Sequence, residues 1–309
     1  MKDSAHLGCS DDRSTRVSII IPVYNGSNHL SEAIDSALAQ AYPNIEVLAI
    51  NDGSSDRGKT EDILKSYGSQ IRYINKTNGG VASALNAGIR EMEGAFFSWL
   101  SHDDLYLPDK IEVQMEYAFK ADRATVYYSD FETIAEKGQS LGVHAVPHLS
   151  PPALRPSLML SANLHGCSLL VPRQAFEEIG LFDESLRTTQ DYDLWFKMAT
   201  RFPFEHVPKV LVRARLHKDQ GIHQLKGYVV REINDLYRRY LPTLTGEEIA
   251  AYWPAGAFSY FRATAMSMWK RGYRKAAIFA LLMACRHLYG SNIGQAWNRR
   301  SSSEGRLNL

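Results

Sequence analysis

At 309 residues, with 45% apolar and 22% charged side chains, the chain is long enough to bury one large core, or one core plus an appendage. A formal net charge of +1 argues against a general nucleic-acid binder, and no run reaches the roughly 18 apolar residues that a membrane-spanning helix needs. Cys9, Cys167 and Cys285, odd in number and without metal-ligand spacing, point to a reducing, cytoplasmic compartment with no disulfide framework.

The first sixteen residues are polar, lack the apolar core of a signal peptide and read as a disordered leader. Val17 to Val23 is a β-branched run stopped by Pro22 and the turn Asn25-Gly26, the profile of a buried first strand. Leu30, Ala33, Ile34, Ala37, Leu38 and Ala41 recur at helical spacing, and Tyr42-Pro43-Asn44 ends that helix. A strand from Ile45 to Ile50 runs into the turn cluster Asn51-Asp52-Gly53-Ser54-Ser55-Asp56. The pattern repeats: a helix at Lys59 to Tyr67, a strand at Ile71 to Ile74, the loop Asn78-Gly79-Gly80 and a helix from Val81 to Met92. Phe96 to Leu100 is an apolar run, read as a strand buried on both faces, that ends in Ser101-His102-Asp103-Asp104. A helix over Ile111 to Phe119 and a strand at Thr125 to Tyr128 follow. Strands alternating with helices imply an α/β fold, a Rossmann-like, mostly parallel sheet flanked by helices.

Glu132 to Pro152 is polar and proline-rich and reads as a mobile loop, and Gly166 to Val171 as a further buried strand. Ala175 to Ile179 is a short helix, Gln190-Asp191-Tyr192-Asp193 opens another through Met198, and Phe204 to Leu216 alternates well enough for one or two strands ending at His217. From Ile222 onward the pattern is helical, with Thr245 and Glu248 at capping-box spacing. The chain thus divides into a leader over 1–16, a nucleotide-binding body over 17–220 and a basic helical appendage over 221–309.

The acidic and glycine-containing loops Tyr24-Asn25, Asn51-Asp52, Asn78-Gly79-Gly80 and Asp103-Asp104 all follow the C-terminal ends of these strands, so parallel topology gathers them on one edge, where open α/β sheets bind ligands. There is no GxGxxG after the first strand and no GxxxxGK[ST], which removes a dinucleotide fingerprint and a P-loop. Asp103-Asp104 has two readings: a helix start before Pro108, or a site where a Mg²⁺ or Mn²⁺ ion bridges carboxylate and diphosphate.

Taken in order, Val17 to Asn25, Asn51 to Asp56, Asn78-Gly79-Gly80, Asp103-Asp104 and Gln190-Asp191-Tyr192-Asp193-Leu194-Trp195 resemble the motif series of the family 2 glycosyltransferases over about residues 17 to 220. That resemblance implies the glycosyltransferase A fold, a nucleotide-sugar donor of UDP or dTDP type, a divalent metal, inversion at the anomeric carbon, and a glycan or lipid-linked acceptor in cell-surface polysaccharide synthesis. By position it implies that Pro22, Val23, Tyr24, Asn25 and Asp52 surround base and ribose, with Asn78, Gly80 and Asn86 on the donor loops. It implies further that Asp103 faces the ribose or sugar, that Asp104 binds the metal with His217 as an added contact, and that Gly166 lines the sugar and acceptor pocket. Asp191 takes the place of the base that deprotonates the acceptor, with Asp193 as the alternative; on a helix the two point about 200° apart, so one of them faces the pocket. Two positions depart from the family pattern: Ser101 stands where an acid is frequent and Leu85 where an Arg precedes Asn. They motivate the rival reading of a catalytically silent nucleotide- or sugar-binding module. A nucleotidyltransferase is a second rival, but the glycine-rich, Arg-containing loop such enzymes carry after the first strand is missing.

Residues 255 to 309 set nine Lys and Arg against the single acid Glu304, interleaved with aromatic and aliphatic side chains. This tail reads equally as a peripheral membrane-surface element and as an appendage packing its apolar side on the protein.

Overall fold

The computed structural model describes residues 13–161, 164–217 and 225–287, with the side chain of Lys226 left aside. Its described residues fall into two compact units, one drawn from 1–151 and 163–226, the other from 152–162 and 227–309.

The first unit is built on β1 (Val17–Val23), β2 (Ile45–Asn51), β3 (Arg72–Asn75), β4 (Phe96–Trp99) and the short β8 (Val171–Pro172), in the order β3-β2-β1-β4-β8. The first four are parallel, and β8 is antiparallel to β4. Every residue of β1 is buried, as its unbroken β-branched run requires for a strand covered on both faces. Helices α1 (Leu30–Leu38), α2 (Lys59–Ser66) and α3 (Val81–Glu91) make the crossovers, and Leu30, Ala33, Ile34 and Ala37 form the inward stripe of α1. Gly88 lets α3 lie against the sheet, since a Cβ there would stand 2.5 Å from Ile20.

A second sheet pairs β5 (Leu105–Tyr106), β9 (Phe204–Leu216), β6 (Val126–Ala135) and β7 (Ser140–His144) in the order β5-β9-β6-β7. β9 is one strand of 13 residues, parallel to β6 with register shifts near Asp130. Helix α4 (Lys110–Lys120) joins β5 to β6 in sequence, and α6 (Arg173–Ile179) and α7 (Gln190–Met198) complete this unit.

Three sequence expectations are corrected here. Glu132 to Pro152 is not a mobile loop: β6 continues to Ala135, turns at Gly138 and returns as β7, and helix α5 (Pro151–Ser161) follows. β7 is an edge strand with all five residues exposed, so it buries too little to show a strand pattern, while Thr133 and Ile134 continue β6 in pairing with it. Gly166 to Val171 is buried as expected, but its first half is a 3₁₀ turn at Gly166–Ser168 rather than strand. The expected disordered leader lies outside the described residues over 1–12, and its end is tied down: the Tyr42 hydroxyl donates to Thr15 O at 2.7 Å, and Arg16 pairs with Glu93.

The second unit combines residues 152–161 of α5 with α8 (Lys226–Tyr240), α9 (Gly246–Tyr252), α10 (Gly256–Lys270) and α11 (274–287). Leu154, Leu158 and Met159 join Tyr237, Leu241, Ile249, Tyr260, Phe261 and Met268 among its buried residues. The Tyr260 hydroxyl donates to Pro156 O, Arg155 pairs with Glu248 at 2.6 Å, and the expected capping box of Thr245 and Glu248 is formed. The helical appendage therefore begins earlier in the chain than periodicity indicated, because Pro151, Pro152 and Pro156 disguise α5; two of these prolines sit in its first turn, where the missing N–H groups cost little.

Candidate active site at the sheet edge

The loops after β1, β2, β3 and β4 meet at the C-terminal edge of the parallel strands. Asn25, at φ 51°, receives the Ser55 N–H on its side-chain oxygen at 2.7 Å and gives its own N–H to Ser54 Oγ at 2.9 Å, which joins the first loop to the second. Pro22 and Val23 are buried below, while Tyr24 leaves 48% of its surface exposed as an aromatic face on the rim.

Asp52 ties the second loop to the third. Its carboxylate accepts from Lys76 Nζ at 2.6 Å, from Gly79 N at 3.0 and 3.2 Å and from Gly80 N at 2.7 Å, and its carbonyl accepts from Asn78 Nδ2 at 2.9 Å. Asp52, which the motif resemblance sets beside a nucleotide base, here accepts from the 76–80 loop. Gly53 allows that approach: at φ 70°, a Cβ on it would meet Asn78 N at 2.7 Å.

Asn86 is also engaged within the protein. Its amide donates to Phe182 O and Glu184 Oε1, both at 2.9 Å, and accepts from Phe182 N at 3.0 Å, which clamps the loop after α6 onto α3.

The acidic loop after β4 is held by β9. Asp103 Oδ2 lies 2.9 Å from His217 Nε2, and Asp103 O accepts from Arg215 Nε at 2.9 Å. Burial raises the Asp103 carboxyl, but the neighbouring His102, the Ser101 hydrogen bond and His217 outweigh it and hold the group below its ordinary range. Asp104 Oδ1 accepts from Arg215 N at 2.8 Å and Oδ2 from Cys167 Sγ at 3.2 Å. Burial, with Asp103 next to it, pushes Asp104 up to about 8. The Arg215 guanidinium reaches on to Glu32 at 2.7 Å and to Glu136 O at 2.6 Å.

His217 thus stands on Asp103 rather than among the ligands nearest Asp104. Beside Asp104 the structure places two residues that the sequence reading did not assign, His165, with Nε2 at 3.8 Å from Asp104 Oδ2, and Cys167. One ligand atom from each of Asp104, His165 and Cys167 lies within 4.8 Å of the others, a spacing that fits a single divalent ion. Burial keeps the imidazole neutral, down at about 4, so a ring nitrogen is free of its proton for coordination. The only sequence signal for these two was their proximity to Gly166, whose hydrogen faces Trp99; a Cβ there would sit 2.5 Å from the ring.

Asp191 and Asp193 diverge as their spacing requires. Asp193 is buried and pairs with Lys197 Nζ at 2.5 Å. Asp191 is half-buried on the other side of α7, accepts from Tyr192 N at 2.8 Å, and is pushed up to about 6 by burial. The Tyr192 hydroxyl donates to Leu164 O at 3.1 Å, so α7 is fastened to the segment that carries His165 and Cys167.

Compared with known families, residues 18–180 match the family described as Glycosyl transferase family 2. The chain is a family 2 glycosyltransferase. An uncharacterized glycosyltransferase of Rickettsia prowazekii is 44% identical over 287 residues, 90% of this chain and 87% of that protein. The glycosyltransferase also matches a Rickettsia felis protein of the same description, 44% identical over 286 residues, of whose length it spans 46%. It thus covers less than half of some of the curated relatives it matches. It is 30% identical to a hyaluronan synthase of Pasteurella multocida over 227 residues, 23% of that protein. Among solved structures it is similar to S. aureus TarS in complex with UDP-GlcNAc, with a TM-score of 0.57 and 17% identity over 89% of this chain and 92% of that one. Mannosyltransferase PcManGT from Pyrobaculum calidifontis, in complex with GDP-Man and Mn²⁺, gives a TM-score of 0.57 and 16% identity over 93% and 83%. These neighbours establish the glycosyltransferase A fold for the first unit's mixed α/β architecture.

Proposed function

We propose that this glycosyltransferase takes a sugar from a UDP- or dTDP-type nucleotide and transfers it, with inversion, to a hydroxyl of a glycan or lipid-linked acceptor in the assembly of a cell-surface polysaccharide. The observation that carries the reading is that one short segment, 164–168, contacts both Asp104 and the helix that bears Asp191. Cys167 bonds to Asp104, and Leu164 anchors the helix that presents Asp191. The neighbour solved with UDP-GlcNAc supports a UDP donor, and the relative named a hyaluronan synthase supports a polysaccharide product.

On this reading the base stacks on Tyr24, above Pro22, Val23 and Asn25, and the N–H groups near Asn78 and Gly80 shape the far wall. A base N–H reaches Asp52 Oδ1 when the partly exposed Lys76 ammonium swings away from it. Asp103, oriented by His217 and Arg215, faces the ribose or sugar. Gly166 keeps the pocket wall thin. Asp104 with its neighbours would hold the divalent cation, which when bound neutralises the departing diphosphate. Asp191 accepts the acceptor's hydroxyl proton on its carboxylate. Its raised proton affinity suits that task, because a base titrating near neutral pH combines ionisation with useful basicity. Asp193, spent on Lys197, is left to fix the helix.

In the second unit, α11 buries Ala276, Ala277, Ala280 and Ala284 and exposes Ile278, Leu281 and Leu282 beside Arg274 and Lys275. That face supports peripheral contact with an anionic membrane, where a lipid-linked acceptor would lie. No described helix is long and apolar enough to cross one.

A panel of nucleotide sugars assayed for metal-dependent release of nucleoside diphosphate tests the reading. Release that survives in Asp191→Asn, or no release with any donor and acceptor pair, would refute it.

A further inference from the structure

The Asp104 site brings a thiol and an imidazole to a cation, and such ligands are not needed for a hard ion such as Mg²⁺. Cys167 is buried, and its S–H points at Asp104 Oδ2, 3.2 Å away. The sulfur itself accepts the Ser101 N–H at 3.3 Å, a bond that strengthens when the sulfur carries negative charge. Arg215 N–H holds the other oxygen of Asp104, so the carboxylate is already aimed with Oδ2 toward the thiol. His165 completes the set, its ring tilted against Phe131 at 5.0 Å between centroids; its Nδ1 is buried and has no hydrogen-bond partner among the described residues.

We infer that Cys167 and His165 ligate the cation with Asp104, so that the site selects a borderline transition ion (Mn²⁺, Co²⁺ or Zn²⁺) over Mg²⁺. This rests on the assignment of Asp104 as the metal ligand. On binding, the Sγ–H bond breaks, the proton leaves to solvent, and a sulfur–metal bond forms with no change of oxidation state. Cys167 Sγ, Asp104 Oδ2 and a ring nitrogen of His165 would hold the cation. Asp103, one residue away, is outside the set because His217 and Arg215 hold it.

The test is a Co²⁺ titration of the full-length protein, followed by calorimetry and by near-ultraviolet absorption. The double variant Cys9→Ser, Cys285→Ser leaves Cys167 as the sole thiol and should bind Co²⁺ with a thiolate-to-cobalt charge-transfer band. Cys167→Ser and His165→Gln should each weaken Co²⁺ binding at least about tenfold while leaving Mg²⁺ binding unchanged. Co²⁺ that binds without the band, yet is lost in Asp104→Asn, overturns the sulfur ligand and leaves the Asp104 assignment standing. No Co²⁺ binding at all overturns both. Unaltered affinity in His165→Gln removes the imidazole from the set.

Discussion

Asp191→Asn should make the protein more stable and far less active, and the size of each effect follows from the position of that carboxyl. Burial moves Asp191 from 3.8 to about 6. At about 1.4 kcal/mol per pH unit, the charged group costs the fold on the order of 3 kcal/mol at pH 8. Asp191 also lies in the first turn of α7, where a negative charge gains up to about 1 kcal/mol from the helix dipole, and Asn forgoes that gain. Asn keeps an oxygen for the Tyr192 N–H, so about 2 kcal/mol of net stabilisation remains. The sign follows from linkage: a carboxyl whose folded-state value is raised favours the fold below pH 3.8, and that contribution fades as pH rises through about 6. The advantage of Asn should therefore be full at pH 8 and absent near pH 3.5. Denaturant midpoints across that range measure it. Initial rates at saturating donor should fall about 10²- to 10⁴-fold, and the wild-type rate should climb with unit slope up to about pH 6. A variant destabilised equally at pH 4 and pH 8, or one that keeps its rate, would refute the reasoning.

Asp52→Ala strips Gly79, Gly80 and Lys76 of their acceptor, so it should cost about 1–3 kcal/mol in urea titrations and weaken UDP binding measured by calorimetry. Gly166→Ala drives a methyl into the Trp99 ring and should lower stability by about 1–3 kcal/mol, with a blue or red shift of Trp fluorescence reporting the displaced indole. Asn86→Ala releases the 182–184 loop and should cost a similar amount while leaving UDP affinity within twofold; a large loss of affinity would restore Asn86 to the donor site. Sedimentation of the full-length protein with anionic liposomes at low salt should be lost on Ile278→Glu with Leu282→Glu, and unchanged sedimentation would dismiss the α11 face.

The parallel half of the fold was legible because its strands are buried on both faces and spell themselves out in unbroken runs, as in Val17 to Val23. The second sheet was harder. β7 is all exposed and β5 is two residues long, so neither buries enough to leave a pattern, and three prolines hid α5. In the site, motif order pointed to the acidic loop after β4 and to Asp191 in the first turn of α7. What it could not give was the pairing between distant segments. Lys76, Arg215, His165 and Cys167 are each unremarkable in their local sequence, and only the folded chain sets them against Asp52, Asp103 and Asp104.

Arg215 bears on how small a working version of this protein can be made. The family match ends at residue 180, yet the acidic loop is braced from residue 215, whose main chain and guanidinium bond to both of its aspartates, the guanidinium reaching on to Glu32 of α1. A fragment trimmed to the recognisable family core would keep the entire strand-end rim and lose its buttress, leaving neighbouring anions to repel one another in solvent. The shortest piece worth expressing therefore runs at least through His217, because the last strand of the second sheet braces the candidate site as much as the first strand of the other sheet supports it.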